Sequence, residues 1–280
     1  MAGYSSIPCA VCSETDPSAF RIWFDGYIKL YKCRSCGFVA QFPGPGRFTI
    51  VTDYQDFYTM DFLDKGRQFM DPQRSVVFED IVDRITKIKP RGTLLDVGCG
   101  DGHFLSIAAK RGLSCHGVED CVPMARYTAA KTGAHIVEGQ YCREMFPAEQ
   151  FDIITMIQVV EHIPAPAEAL KAAKHHLKPD GILVVEVPSL HSPHFLAYRW
   201  TGIKTFVKPP DGVIRCHVGY YTPDTLRLLA KTCGFTTVSL VTGRWQYKYS
   251  GLLKQIGRVI DPLLATLEIG GVLFIGTRSE

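Results

Sequence analysis

The chain has 280 residues, 46% of them hydrophobic and 21% charged, with a net charge of +3. That is the balance of a soluble globular protein with material for one large domain or two smaller ones. A charge so near zero, without basic clusters, argues against nucleic acid or an anionic membrane as partner, and no run of 18 uncharged apolar residues is present to span a bilayer.

The opening MAGYSSIPCAVC has neither a basic lead nor an apolar run, so no signal peptide is expected. Ten cysteines without an export signal suit a reducing cytoplasm and metal binding better than a disulfide framework. Cys9-x2-Cys12 and Cys33-x2-Cys36 have zinc-ribbon spacing, with short alternating strands in RIWFDGYIKLYKC. Each C-x2-C puts two thiolates on one tight turn, and two such turns close a tetrahedron around Zn²⁺. Four sulfurs leave no open position, which makes the site structural. A ribbon over 1–46 is too small to fold without its metal.

QFPGPGRF reads as a linker, and 47–92 as a lid and helical lead-in. The aromatic, acidic stretch Asp53 to Asp64 either packs over the core or contacts substrate, and Ser75 to Ile88 has apolar residues at helical spacing. From Thr93 onward, strand-like TLLDVG, SCHGVE, AHIVEG, FDIITMIQ and GILVVEVP alternate with helix-like HFLSIAAKRG, VPMARYTAAKTG and PAEALKAAKHHLKPDG. That alternation predicts an α/β domain over 93–280, Rossmann-like and doubly wound with a mostly parallel sheet, beside the small zinc ribbon. A polar and aromatic section, 189–221, reads as a substrate insertion. A helix capped at Thr222, a strand TTVSLVTG, an amphipathic segment Leu252 to Leu267 and a closing strand GVLFIGTR follow. The amphipathic segment fits docking on the protein's own sheet, with a membrane surface or the partner in a homodimer as alternatives. Cys99, Cys115, Cys121, Cys142, Cys216 and Cys233 stand singly and fit as small buried apolar side chains.

TLLDVGCGDGHFL, over Thr93 to Leu105, is a strand, a glycine loop and a helix start. Gly98, Gly100 and Gly102 let a ligand approach the backbone, but His103 stands where a nicotinamide fingerprint has its last glycine. Asp96 and Asp101 frame the loop, which suits a cofactor carrying an ammonium and a sulfonium rather than a pyrophosphate. Glu119, ending SCHGVE, is placed to accept both hydroxyls of a ribose. The pattern resembles that of class I S-adenosylmethionine-dependent methyltransferases over about Ser75 to Ser189, and implies that cofactor.

Ligands of doubly wound sheets bind beyond the carboxyl ends of the strands, which brings Gln140 and Gln158 to the same edge. Gln140 and Tyr141 stand where many relatives place an adenine-binding aspartate, so a neutral amide or backbone holds the adenine instead. QVVEHIP resembles a stretch bordering the methyl donor in small-molecule methyltransferases, which implies that Glu161 and His162 face the site. The ribbon, the core and CHVGYYT together resemble sugar methyltransferases in which a Glu-His pair takes part in catalysis. Here the pair is Cys216-His217, so the histidine carries over and the glutamate does not. Methyl transfer to carbon needs a strong base and reprotonation, whereas transfer to a hydroxyl needs one base. A histidine titrating near neutrality, His217 or His162, suits O-methylation of a small-molecule, sugar or glycan acceptor. His191 and His194 stand in a loop that can carry substrate. The alternatives are sugar C-methylation and a zinc-ribbon module acting on RNA, whose charges, Arg21, Lys29, Lys32 and Arg34 against Glu14, Asp16 and Asp25, are too balanced for a nucleic-acid stripe.

Overall fold

A computed structural model describes residues 8–25, 29–41, 72–148, 150–191, 195, 200–201, 217–242 and 271–279. The linker beyond Gln41, the stretch from Asp53 to Asp64, most of the section 189–221 expected to carry substrate, with His194 and Cys216, and Leu252 to Leu267 lie outside the described residues.

Three strands open the fold: β1 (Phe20–Asp25), β2 (Lys29–Cys33) and β3 (Val39–Gln41). The helix α1 (Pro72–Ile88) leads into β4 (Thr93–Val97), α2 (His103–Lys110), β5 (Ser114–Glu119), α3 (Val122–Thr132) and β6 (His135–Glu138). Then come β7 (Phe151–Ile157), α4 (Pro166–His176), β8 (Leu177–Val187), β9 (Gly219–Tyr220), α5 (Pro223–Thr232), β10 (Phe235–Thr242) and β11 (Val272–Arg278). Seven strands form the main sheet in the order β10-β11-β8-β7-β4-β5-β6. Pairing is parallel from β8 through β7, β4 and β5 to β6, and β10 and β11 add antiparallel. The order reverses between β4 and β7, the switch point at which such sheets bind ligands.

Period-two alternation sends neighbouring residues to opposite layers. Leu94, Ile153, Ile182 and Leu273 pack with Ile81 and Ile85 of α1 and Phe104 and Leu105 of α2. Leu95, Ile154, Leu183 and Val272 pack with Leu170 of α4 and Leu226 and Leu229 of α5. Thr222 caps α5 as its sequence indicates: Thr225 N–H donates to Thr222 Oγ1 at 3.2 Å and Thr222 N–H to Thr225 Oγ1 at 2.8 Å. Such a reciprocal cap contributes about 1 kcal/mol.

The ribbon does not close on itself. Its sheet runs β1-β2-β3-β9, and the last strand comes from the far side of the insertion. Val39 pairs with Tyr220 and Ala40 with Gly219. The Phe38 and Tyr221 rings lie 5.0 Å apart, and Cys9, Val11, Cys33 and Phe38 share one core with α4 and α5. A two-residue strand 180 positions from its partner carries no local signal.

Candidate active site

β4 delivers Asp96 to the switch point. It is 3% exposed, and Thr155 Oγ1 on β7 donates to its Oδ1 at 2.6 Å. Burial raises its carboxyl to about 7, the Thr155 hydrogen bond opposes the rise, and the Glu119 charge adds to it. An unfolded aspartate titrates near 3.9, so the folded protein binds the extra proton between about 4 and 7, and stability falls as pH rises through that window. Asp96 contributes about 4 kcal/mol to this loss. Thermal unfolding of the ligand-free protein at pH 5 and pH 8 should show the part of this drop that lies above pH 5, and Asp96→Asn should reduce it, the remainder coming from the Glu119 and Glu161 carboxyls that burial also raises; an unchanged pH dependence in Asp96→Asn overturns the assignment.

The three glycines differ in what they face. Their φ values are +69°, +51° and +71° for Gly98, Gly100 and Gly102. A Cβ on Gly98 would lie 2.6 Å from Val159 Cγ2, and one on Gly102 2.6 Å from Thr132 Cγ2. One on Gly100 meets nothing within 4 Å. Packing therefore accounts for Gly98 and Gly102, while Gly100 faces open space. Glu119 borders that space: its Oε2 accepts from Gly100 N–H at 2.9 Å and its Oε1 from Cys121 N–H at 3.0 Å. Burial raises its carboxyl and these two donors oppose the rise. Acidic groups around an open glycine fit a cationic nucleoside and disfavour a pyrophosphate. At the rim Gln140 Nε2 donates to Asp120 Oδ2 at 3.3 Å. Tyr141 points away, its hydroxyl 2.7 Å from Nδ1 of buried His176.

The second cluster forms where β7 ends. Gln158 has φ +58°, a conformation few side chains adopt, and its Nε2 donates to Glu186 Oε2 at 2.6 Å. The single turn Val160–His162 follows. Glu161 is 1% exposed, and neither carboxylate oxygen has a hydrogen-bond partner among the described residues. Burial pushes its carboxyl well above the usual range; Glu186 adds to the rise and Arg74 opposes it. His162 Nε2 lies 3.9 Å from Glu161 Oε1, and the His162 and His217 rings meet edge to face at 4.7 Å. The ligand atoms of Glu161, His162 and His217 all lie within 4.8 Å of one another, an N₂O set able to hold a divalent cation. Burial, then the neighbouring His162, lowers the His217 ring to about 4. The near-neutral titration expected from sequence is not what this pocket gives, because the ring is taken out of water beside a second imidazole.

A family model described as a methyltransferase domain matches residues 70–240, more than half of the chain. The chain belongs to this methyltransferase family. Ubiquinone biosynthesis O-methyltransferases are similar to it: that of Dinoroseobacter shibae is 32% identical over 151 residues, 52% of this chain and 60% of the relative. That of Actinobacillus pleuropneumoniae is 36% identical over 100 residues, 32% of this chain and 43% of the relative. The chain thus spans about half the length of these curated relatives. Among solved structures, a Burkholderia thailandensis 1,6-didemethyltoxoflavin-N1-methyltransferase has a TM-score of 0.56 at 13% identity, covering 92% of this chain and 98% of its own. An Archaeoglobus fulgidus S-adenosylmethionine-dependent methyltransferase has a TM-score of 0.55 at 19% identity, covering 79% and 100%. These likenesses establish the class I methyltransferase fold.

The methyltransferase's cysteine cluster is built from two equivalent turns. Ser13 N–H donates to the Cys9 carbonyl and Gly37 N–H to the Cys33 carbonyl, each at 2.9 Å, and both donors have positive φ. The sulfurs lie 3.6 Å apart for Cys9 and Cys36 and 3.7 Å for Cys12 and Cys33. Four sulfurs about 2.3 Å from a zinc at a tetrahedron's centre stand about 3.8 Å apart, so the set fits Zn²⁺. Of the single cysteines, Cys99, Cys121 and Cys233 are buried and Cys115 half-buried as expected, but Cys142 is exposed, on the loop after Gly139 that follows β6.

Several residues of the site carry no sequence signal. Thr155 and Glu186 read as strand positions, and their polar contacts arise only when β7 sits between β4 and β8. Ser75 Oγ lies 2.8 Å from His103 Nε2, tying α1 to the loop through the residue that replaced the glycine. Tyr221 is fully buried with its hydroxyl unpartnered among the described residues. His191 lies in a turn after β8, its N–H donating to Ser189 Oγ.

Proposed function

We propose that the protein transfers a methyl group from S-adenosylmethionine to a hydroxyl of a small-molecule acceptor, with His217 as base and His162 and Glu161 beside it. The observation that carries the reading is a half-buried His217 ring packed on His162 at the carboxyl edge of the sheet that presents Asp96, Gly100 and Glu119. S-adenosylmethionine supplies an electrophilic methyl on a sulfonium. Asp96 and Glu119 offer acceptors to the cofactor's ammonium and ribose, and Gln140 and Gln158 border it. As the acceptor oxygen attacks the methyl carbon, the C–S bond breaks and the hydroxyl proton passes to His217. A ring near 4 is a weak base, so proton loss coincides with attack, and an acidic hydroxyl such as a phenol, near 10, suits it better than a sugar's. The names of the curated relatives support O-methylation, and the resemblance of the ribbon and the CHVGYYT segment supports a sugar or glycan. Zn²⁺ on Cys9, Cys12, Cys33 and Cys36 is structural in this reading.

A second reading rests on Glu161, whose buried carboxylate, without a hydrogen bond among the described residues and beside two imidazoles, suits a divalent cation that would lower the acceptor's pKa directly. Deuterium-labelled S-adenosylmethionine, incubated with panels of phenolic, sugar and RNA acceptors, tests the main reading by mass spectrometry. Label on oxygen of a phenol or sugar supports it; label on carbon or on RNA alone overturns it. Activity lost to a chelator that leaves one zinc per chain, and restored by Mg²⁺ or Mn²⁺, favours the second.

A further inference from the structure

We propose that Gln41, the last residue of the ribbon strand β3, is a positioning residue that fixes His217 in the active site. Gln41 Nε2 donates to the His217 carbonyl at 2.6 Å. Gln41 N–H donates to the Val218 carbonyl at 2.9 Å, and Val218 N–H donates to the Glu161 carbonyl at 2.8 Å. One glutamine therefore satisfies two consecutive carbonyls, and the residue it holds is bonded in turn to the turn that carries Glu161 and His162. The pairing of β3 with β9 covers only Val39–Tyr220 and Ala40–Gly219. Gln41 extends that ladder past its end, with its backbone and then with its side chain, as far as His217. A part-buried carbonyl that loses such a donor is left with its desolvation uncompensated, so the segment shifts to find another. The zinc turns, through β2 and β3, are in this way part of what places the base. The inference rests on the proposed role of His217.

Gln41→Met keeps the side chain's length and removes its donor, and Gln41→Glu sets a carboxylate against the carbonyl. Both should lower kcat, Gln41→Met by about 10²-fold, the cost of misplacing a reacting group by roughly 1 Å. S-adenosylmethionine affinity and zinc content should stay at wild-type values. Gln41→Lys, which restores a donor, should recover part of kcat, and Arg21→Ala, an exposed position on β1, should change nothing. In ¹³C-histidine spectra the His217 ring resonance, identified by its loss in His217→Ala, should move in Gln41→Met while those of His116 and His135 at the far edge of the sheet stay. Gln41→Met with wild-type kcat and an unmoved His217 resonance overturns the proposal, as does loss of zinc and cofactor affinity together with kcat. Wild-type kcat in His217→Ala overturns the base assignment instead, and a moved His217 resonance in Gln41→Met still supports the positioning.

Discussion

Stripping the proposed ribbon zinc, or replacing one ligand as in Cys33→Ser, should lower methyl transfer by about 10²-fold or more while leaving S-adenosylmethionine binding intact. Structural zinc contributes roughly 10–16 kcal/mol of apparent binding energy to small domains, more than the packing of Phe24, Leu30 and Val39 can replace in a ribbon of this size. When the two cysteine turns open, β3 loses the geometry that pairs it with β9, and the His217 and Val218 carbonyls lose Gln41. The glycine loop has no such dependence: Asp96 is held by Thr155, and Glu119 by Gly100 and Cys121, all within the main sheet and its loops. Elemental analysis should find about one zinc per chain, calorimetry should give the same cofactor affinity with and without it, and kcat should fall by about 10²-fold or more. A metal-free preparation with wild-type kcat overturns both the zinc assignment and the ribbon's role. Two equivalents, one of which survives Cys33→Ser, would place the second on Glu161, His162 and His217.

The acidic glycine loop of the candidate site was legible in the sequence and the Glu161, His162 and His217 cluster mostly was not, for a physical reason. Asp96, the glycines and Glu119 follow one another through strand, loop and strand, so their meeting is a local consequence of the βαβ path. Even there the sequence does not say which glycine faces open space, because that depends on Val159, Thr128 and Thr132 arriving from other elements. The strand-helix alternation announced a sheet between helices, but a continuous apolar run such as TLLDVG does not say which side chain faces which layer; the folded chain sends Leu94 to one and Leu95 to the other. The two histidines come from positions 55 residues apart, and a resemblance rather than any spacing paired them. Their environment was out of reach: the low His217 pKa comes from burial against His162, which only the folded chain creates. Gln41, at a strand end before a Pro/Gly-rich run, read as nothing more than the edge of a linker.

Replacing His217 with alanine should lower kcat by 10²- to 10⁴-fold, the range of general-base catalysis, with cofactor affinity unchanged. The pH profile separates this group from Asp96. In the proposed role His217, its ring lowered to about 4, should be neutral and competent above that value, and activity should be lost only as pH falls through it and the ring takes up the proton it would accept from the acceptor. Asp96, raised to about 7 in the free protein, would have to ionise to meet the ammonium in the proposed binding mode, so cofactor binding should weaken as pH falls below about 7. At saturating S-adenosylmethionine, kcat should therefore hold level from pH 8 down to the region of 4, whereas kcat/KM for the cofactor should bend near 7. His162→Gln, which disturbs the ring packed on His217, should instead raise the acceptor KM along with a smaller fall in kcat. An acid limb of kcat near 6.5 at saturating cofactor would assign proton removal to a solvated histidine, and His217→Ala with wild-type kcat would remove His217 from the chemistry altogether.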